Sequence, residues 1–405
     1  MVRRVFVTLF ISIFSAMLGV GIIIPLLPLY AQTLGATGIW LGIIFSSFSI
    51  SRSIFMPAIG RLSDRKGRKV FICLGLFGYA LVSFGFVYSV EPYQIGIVRF
   101  LQGFFAAMIL PVAMAYIGEI SPENKEGTFM GGFNIALFLG FGGGPLICGL
   151  LKDHFGMSMA FYTMGGLSLF GFFLALIFLP ELHLYKKETT DKTVSYRTML
   201  GNNIVRGITV FRLVNSIGWG MVMTFLPIFA FQHLGLSGSQ IGILISASIL
   251  VNSFFQAPFG RLADRVSRLK LVVIGGIITS FAISLLPYTH NYTQMLMIAI
   301  TMGFAGAISI PATAALSVEV GRELGMGSVM GIFSMAMSLG MASGPITGGL
   351  LMDFLGIRSV FIFGGSMGFI ATGLFFWFMK RPDVRLKDRL NFKDTIKKYT
   401  PYKDI

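Results

Sequence analysis

Arg52, Arg99 and Arg212 each stand inside a long apolar stretch of this sequence, and no aspartate or glutamate stands equally deep in any such stretch. A charged side chain in apolar surroundings is costly, so its presence is by default a sign of function. The guanidinium presents five N–H donors in a planar fork that fits a carboxylate or a phosphate. Three such cations without an acid attract an anionic or zwitterionic group and repel a cation. Polar side chains accompany them at helical spacing. Gln102 follows Arg99 by three residues, while Asn215, Ser216 and Trp219 follow Arg212 on one helix face. Ser248, Asn252 and Gln256 share another face. Arg52 and Arg212 lie roughly 9–12 Å inside the ends of their stretches, close enough for the charged heads to snorkel outward as well.

The acids gather at the ends of the apolar stretches, Glu119 and Glu319 at one end, Asp153 and Asp353 at the other. Glu119, Asp64 and Asp153 are the places where protons can exchange. Cys73, Cys148 and the four histidines have no metal-ligand spacing. With no nucleophile–base pair either, neither an enzyme, nor a metal, nor a cofactor is expected.

The elements that must position these residues are membrane helices. The chain is 55% hydrophobic and 12% charged, too little charge to cover a water-soluble surface of this size. At about 20 residues per crossing, the sequence predicts spans near 5–30, 39–58, 70–88, 94–117, 128–151 and 157–179, then near 208–231, 239–259, 270–288, 293–315, 327–350 and 358–380. The short alternation of a barrel strand is missing, and hydrocarbon tolerates no unpaired backbone, so the fold class is an all-α membrane protein of twelve helices. The first span is too long for a signal-peptide core and has no cleavage site before a polar domain.

The net charge of +15 resembles a nucleic-acid signal until its distribution is read. Arg3, Arg4, Arg61, Arg65, Lys66, Arg68, Lys69 and Lys125, the linker lysines, Arg261, Arg265, Arg268, Lys270, Arg322 and a basic tail all fall on one side of the predicted topology. Lys152 and Arg358 fall on the other. This is a positive-inside bias, which places both termini in the cytoplasm and leaves nucleic acid unneeded.

The chain also repeats itself. Gly60-Arg61-Leu62-Ser63-Asp64-Arg65 returns as Gly260-Arg261-Leu262-Ala263-Asp264-Arg265, and Gly140, Gly144, Pro145 and Gly149 return as Gly340, Gly344, Pro345 and Gly349. Glu119 and Asp153 return as Glu319 and Asp353, at the same offset of 200 residues (for example 353 − 153). A same-direction repeat of six spans implies two bundles related by an axis along the membrane normal. The expected division is a bundle over 1–180, a polar linker over 181–203, a second bundle over 204–380 and a basic tail over 381–405. Arg52, Arg99 and Arg212 are unshared: Asn252, Ala299 and Ser12 occupy the offset positions.

Gly60 to Lys69, between spans 2 and 3, resembles the signature loop of the major facilitator superfamily. The resemblance implies that Asp64 docks near a helix N-terminus of the other bundle, that Arg65 or Arg68 pairs with Glu119, and that Asp264, Arg265, Arg268 and Glu319 echo this gate. The Gly140-Gly144-Pro145-Gly149 pattern on span 5 is similar to the antiporter motif of drug-efflux members, with Cys148 where glycine is usual; its copy on span 11 is complete. Leu18 to Pro28 is similar to the first-helix motif of twelve-span drug:proton antiporters, including tetracycline efflux pumps. Arg99-x2-Gln102-Gly103 matches the family motif whose arginine is proposed to assist proton transfer.

Together these features predict a secondary active transporter, proton-coupled, exporting a small amphiphilic compound by alternating access. An organic-anion uptake permease and a lipid flippase are the alternatives. Cavity or coupling roles fall to Arg52, Arg99, Gln102, Arg212, Asn215, Trp219, Asn252 and Gln256. The expected partners are an anionic or zwitterionic substrate, protons and lipid, and the expected setting is a monomer in a bacterial cytoplasmic membrane.

Overall fold

The computed structural model describes residues 2–122, 126–181 and 201–380. Most of the expected linker and all of the basic tail lie outside them. Among the described residues there are twelve α-helices and no strand: α1 Val2–Thr33, α2 Gly38–Lys66, α3 Arg68–Val87, α4 Pro92–Ile120, α5 Glu126–Phe155, α6 Met157–Phe178, α7 Asn203–Leu234, α8 Gly238–Arg265, α9 Arg268–Leu285, α10 Tyr292–Leu324, α11 Met326–Leu355 and α12 Ile357–Lys380. A short 3₁₀ turn, Leu286–Tyr288, extends α9. All twelve helices are long and apolar enough to cross a membrane.

The helices outrun the predicted spans, and one consequence corrects the reading of the signature loop. Gly60 to Lys66 is not a loop but the last turns of α2. The whole connection to α3 is Gly67, at φ +93°, a conformation glycine adopts without a Cβ penalty. Hydropathy marks where hydrocarbon ends, whereas the helix continues while its basic residues complement the negative end of its dipole. In the second half α8 runs to Arg265, and Val266 and Ser267 make the turn.

Helix starts on the face away from these turns are strongly capped. Thr37 accepts from Trp40 N at the start of α2. Ser237 and Gln240 form a reciprocal capping box at the start of α8.

The repeat is visible in the packing. Within the first half α1 packs on α5 and α6, α2 on α4, and α3 on α4 and α6; within the second, α7 packs on α11 and α12, α8 on α10, and α9 on α10 and α12. These are the same pairings shifted by six helices. The halves meet along two equivalent seams, α2 against α11 and α5 against α8, with a lighter contact of α1 on α7.

Candidate functional site

The two seams are tightly joined at one end. The face bearing the Gly67 and Val266–Ser267 turns is called the basic face here, and its opposite the far face. At the far face the halves meet backbone to backbone. A Cβ placed on Gly149 of α5 would lie 2.5 Å from Ser239 Cα and 2.6 Å from the Gly238 carbonyl of α8. A Cβ on Gly38 of α2 would lie 2.5 Å from the Gly349 carbonyl of α11, and one on Gly42 would lie 2.7 Å from the Pro345 carbonyl. Toward the basic face the contacts cease: a Cβ on Gly60, Gly131 or Gly331 meets nothing within 4 Å. The close cross-half approaches of the described glycines therefore lie from the middle of the helices to the far face.

Two carboxylates stitch the closed end. Asp153, in the last turn of α5, accepts from Gly238 N at 3.0 Å, Ser239 N at 2.8 Å and Ser239 Oγ at 2.6 Å. Asp353, in the last turn of α11, accepts from Gly38 N at 2.7 Å and Ile39 N at 2.9 Å. Deeper in the α2–α11 seam, Ser46 Oγ donates to the Ala342 carbonyl. Its repeat mate Ser246 Oγ is buried without a partner.

The antiporter-like glycines divide by function. Gly140 and Gly144 seat α5 against α1, where Cβ atoms would approach Phe14 O and Gly21 Cα to 2.6 and 2.5 Å. Gly340 and Gly344 seat α11 against α7 in the same way, on Leu213 and Ile217. Gly149 and Gly349 alone of this set reach across to the other half.

At the basic face the charges pair within each half. Arg68 bonds Glu119 through Nε at 2.5 Å and Asp64 through Nη2 at 2.9 Å. Arg268 repeats the pattern more loosely, 2.7 Å to Glu319 and 4.0 Å to Asp264. Asp64 is 60% exposed, and the ion partner it has is Arg68 of its own half. Arg65 and Arg265 are exposed.

The membrane-embedded arginines lie on helices α2, α4 and α7. Arg99 on α4 is buried, with Nη1 donating to Gln102 Oε1 at 2.6 Å. Its guanidinium carbon lies 5.1 Å from the Phe45 ring and 4.7 Å from the Phe48 ring, both on α2. Arg99 Nε and Gln102 Nε2 are buried without partners. Arg212 on α7 lies 4.7 Å from the Phe333 ring of α11, with Nη2 2.8 Å from Met337 Sδ and Nε buried without a partner. Arg52 is half-buried on α2. Among the described residues no carboxylate is within ion-pair distance of these three arginines.

Gln256 Nε2 donates to Asn252 Oδ1 at 3.1 Å, and Asn252 packs on Gly306 of α10. Asn215 and Trp219 are half-buried on α7. The structure thus groups Arg99 with Gln102, and Asn252 with Gln256, and gives Arg212 aromatic and sulfur neighbours. It adds residues that sequence reasoning passed over: Phe45, Phe48, Phe333 and Met337 around the cations, and the cross-seam bonds of Asp153 and Asp353. The Asp pair carried a signal, since both acids recur at the repeat offset.

Two repeated six-helix halves, meeting along two equivalent seams and carrying charged side chains within several apolar helices, are the architecture of a membrane transporter. The Major Facilitator Superfamily model matches residues 9–212 and again 208–405, and this chain belongs to that superfamily. It is 33% identical over 376 residues to an uncharacterized MFS-type transporter of Methanocaldococcus jannaschii, covering 91% of this chain and 96% of that one. It is 29% identical over 399 residues to Multidrug resistance protein 2 of Bacillus subtilis, covering 94% and 97%. Among solved structures, a bacterial homolog of the human lysosomal transporter Spinster, in an inward-facing and occupied conformation, superposes with a TM-score of 0.82 at 13% identity, covering 96% of this chain and 98% of that one.

Proposed function

We propose that this protein is a proton-coupled exporter of small amphiphilic molecules with an anionic or zwitterionic head, working by alternating access in a bacterial cytoplasmic membrane. The basic face is assigned to the cytoplasm by its excess of Lys and Arg, so the tightly joined far face is read as the outer one. The observation that carries the substrate class is the pair of embedded guanidiniums, Arg99 and Arg212, stacked on phenylalanine rings with no carboxylate near them. A desolvated cation without a counter-ion is unfavourable. An incoming anion supplies what is missing, and the rings and Met337 offer its apolar body an adaptable surface. Export is supported by the antiporter-like glycine pattern and by similarity to a multidrug resistance protein.

The same arginines would serve an organic-anion uptake permease, so direction must be measured. Purified protein in liposomes carrying an imposed pH gradient should move fluorescein, an anion, against its gradient and leave rhodamine 6G, a cation, near background. Preferential movement of rhodamine 6G would overturn the substrate class. Fluorescein flux indifferent to the pH gradient would overturn proton coupling.

A further inference from the structure

We propose that Asp153 and Asp353 are the paired latches of the far-face gate, and that the cavity opens on that face by breaking their bonds to the opposite half. The proposal rests on the alternating-access reading above but not on any choice of substrate. Its basis is an accounting of helix ends. The first N–H groups of a helix have no partner inside it. At the start of α8, Ser237 Oγ takes Gln240 N, and Asp153 of the other half takes Gly238 N and Ser239 N. At the start of α2, Thr37 Oγ1 takes Trp40 N, and Asp353 takes Gly38 N and Ile39 N. Each helix is therefore capped jointly, by its own residue and by an acid from across the seam.

The acids are badly placed for their own helices. Asp153 and Asp353 sit in the last turns of α5 and α11, where the negative end of the helix dipole disfavours a carboxylate. The positive ends of α8 and α2 favour it, and those ends are within reach only when the halves close on this face. Gly149 and Gly349 make that reach possible, because a side chain at either would hold the backbones apart. Closure thus moves each carboxylate from an unfavourable helix end to a favourable one, which is the requirement for a latch.

The two latches are unequal. Asp153 has a third donor, Ser239 Oγ, whereas the repeat mate of Ser239 is Ile39. The α2–α11 seam has the deeper Ser46 bond in compensation, while Ser246 in the α5–α8 seam bonds nothing. The α5–α8 seam therefore depends more heavily on its aspartate.

Spin labels at Tyr88→Cys and Tyr288→Cys, repeat mates that are 73% and 62% exposed at the far face, report the opening of the gate by pulsed electron–electron distance measurement. The background carries Cys73→Ser and Cys148→Gly, the latter matching Gly348. No substrate is added, so a failure to find transported compounds leaves this test intact. Asp153→Asn and Asp353→Asn preserve shape and remove charge. Each should populate a longer distance, Asp153→Asn more than Asp353→Asn, and the double variant should make it predominant. A label pair at Arg61→Cys and Arg261→Cys on the basic face should shorten in parallel. An unchanged far-face distance in a folded double variant overturns the proposal. If the double variant does not fold, Ser239→Ala, which deletes one bond of the Asp153 latch, must widen the distribution by itself; failure to do so also overturns it.

Discussion

Gly149 and Gly238, on opposite halves of the molecule, touch through their backbones with no side chain between them. A methyl on Gly149 would fall 2.6 Å from the Gly238 carbonyl and 2.5 Å from Ser239 Cα, and backbone cannot yield as a flexible side chain can. Gly149→Val should prevent the far face from closing, abolishing net transport while leaving expression and helix content intact. Gly349→Val should do the same through the Gly38 carbonyl. The distance between far-face labels, measured in either variant, should stay long under all conditions.

Arg99 should tolerate no substitution. Arg99→Ala is expected to reduce transport at least a hundredfold in a protein that purifies and melts normally. Arg99→Lys should not rescue it, because an ammonium group cannot stack flat on Phe45 and Phe48 while holding Gln102. Initial rates in liposomes, normalised to folded protein, decide this.

Arg212 separates affinity from stability. Arg212→Met removes a poorly solvated cation lacking an acid partner and replaces it with an apolar side chain, a change that is often neutral or stabilising. The variant should melt at the same temperature or higher. Its apparent affinity for fluorescein should fall about tenfold or more, in line with roughly 1.4 kcal/mol or more for a lost charged contact. Lower stability together with unaltered affinity would point to a packing role.

The two basic-face ion pairs should be worth different amounts. Arg68 and Glu119 are 14% and 17% exposed, whereas Arg268 and Glu319 are 31% and 56% exposed. Glu119→Gln leaves a largely buried guanidinium with only the exposed Asp64, at a cost of about 1–2 kcal/mol once partial solvation is allowed for. Glu319→Gln should cost about 0–0.5 kcal/mol. Thermal unfolding of the two variants side by side tests the contrast.

Much of this architecture could be read from residue order. The twelve spans follow from hydropathy, and the two halves follow from repeats such as Asp64 with Asp264 and Pro145 with Pro345. The pairing of Arg68 with Glu119 was narrowed to two candidate arginines by the family pattern, and geometry selects the one beyond the turn. The end of α2 is not legible from hydropathy, because helix and hydrocarbon do not stop at the same residue. The cross-seam bonds could not be seen at all: Asp153 reaches 85 residues along the chain and Asp353 reaches back 315. Nothing local marks such a partner. The aromatic neighbours of Arg99 and Arg212 were hidden for a different reason. With 41 phenylalanines in 405 residues, no particular ring stands out until it lies against a guanidinium.

The reciprocal capping of α8 by Asp153 and of α2 by Asp353 makes the interface between the halves self-complementary. The fifth helix of each half completes the second helix of the other, two similar but unequal patches meeting across a pseudo-two-fold axis, as in the isologous contact of symmetric dimers. Each half thus brings to the contact both a carboxylate-bearing helix end and an amide-bearing helix start, so neither half is only donor or only acceptor.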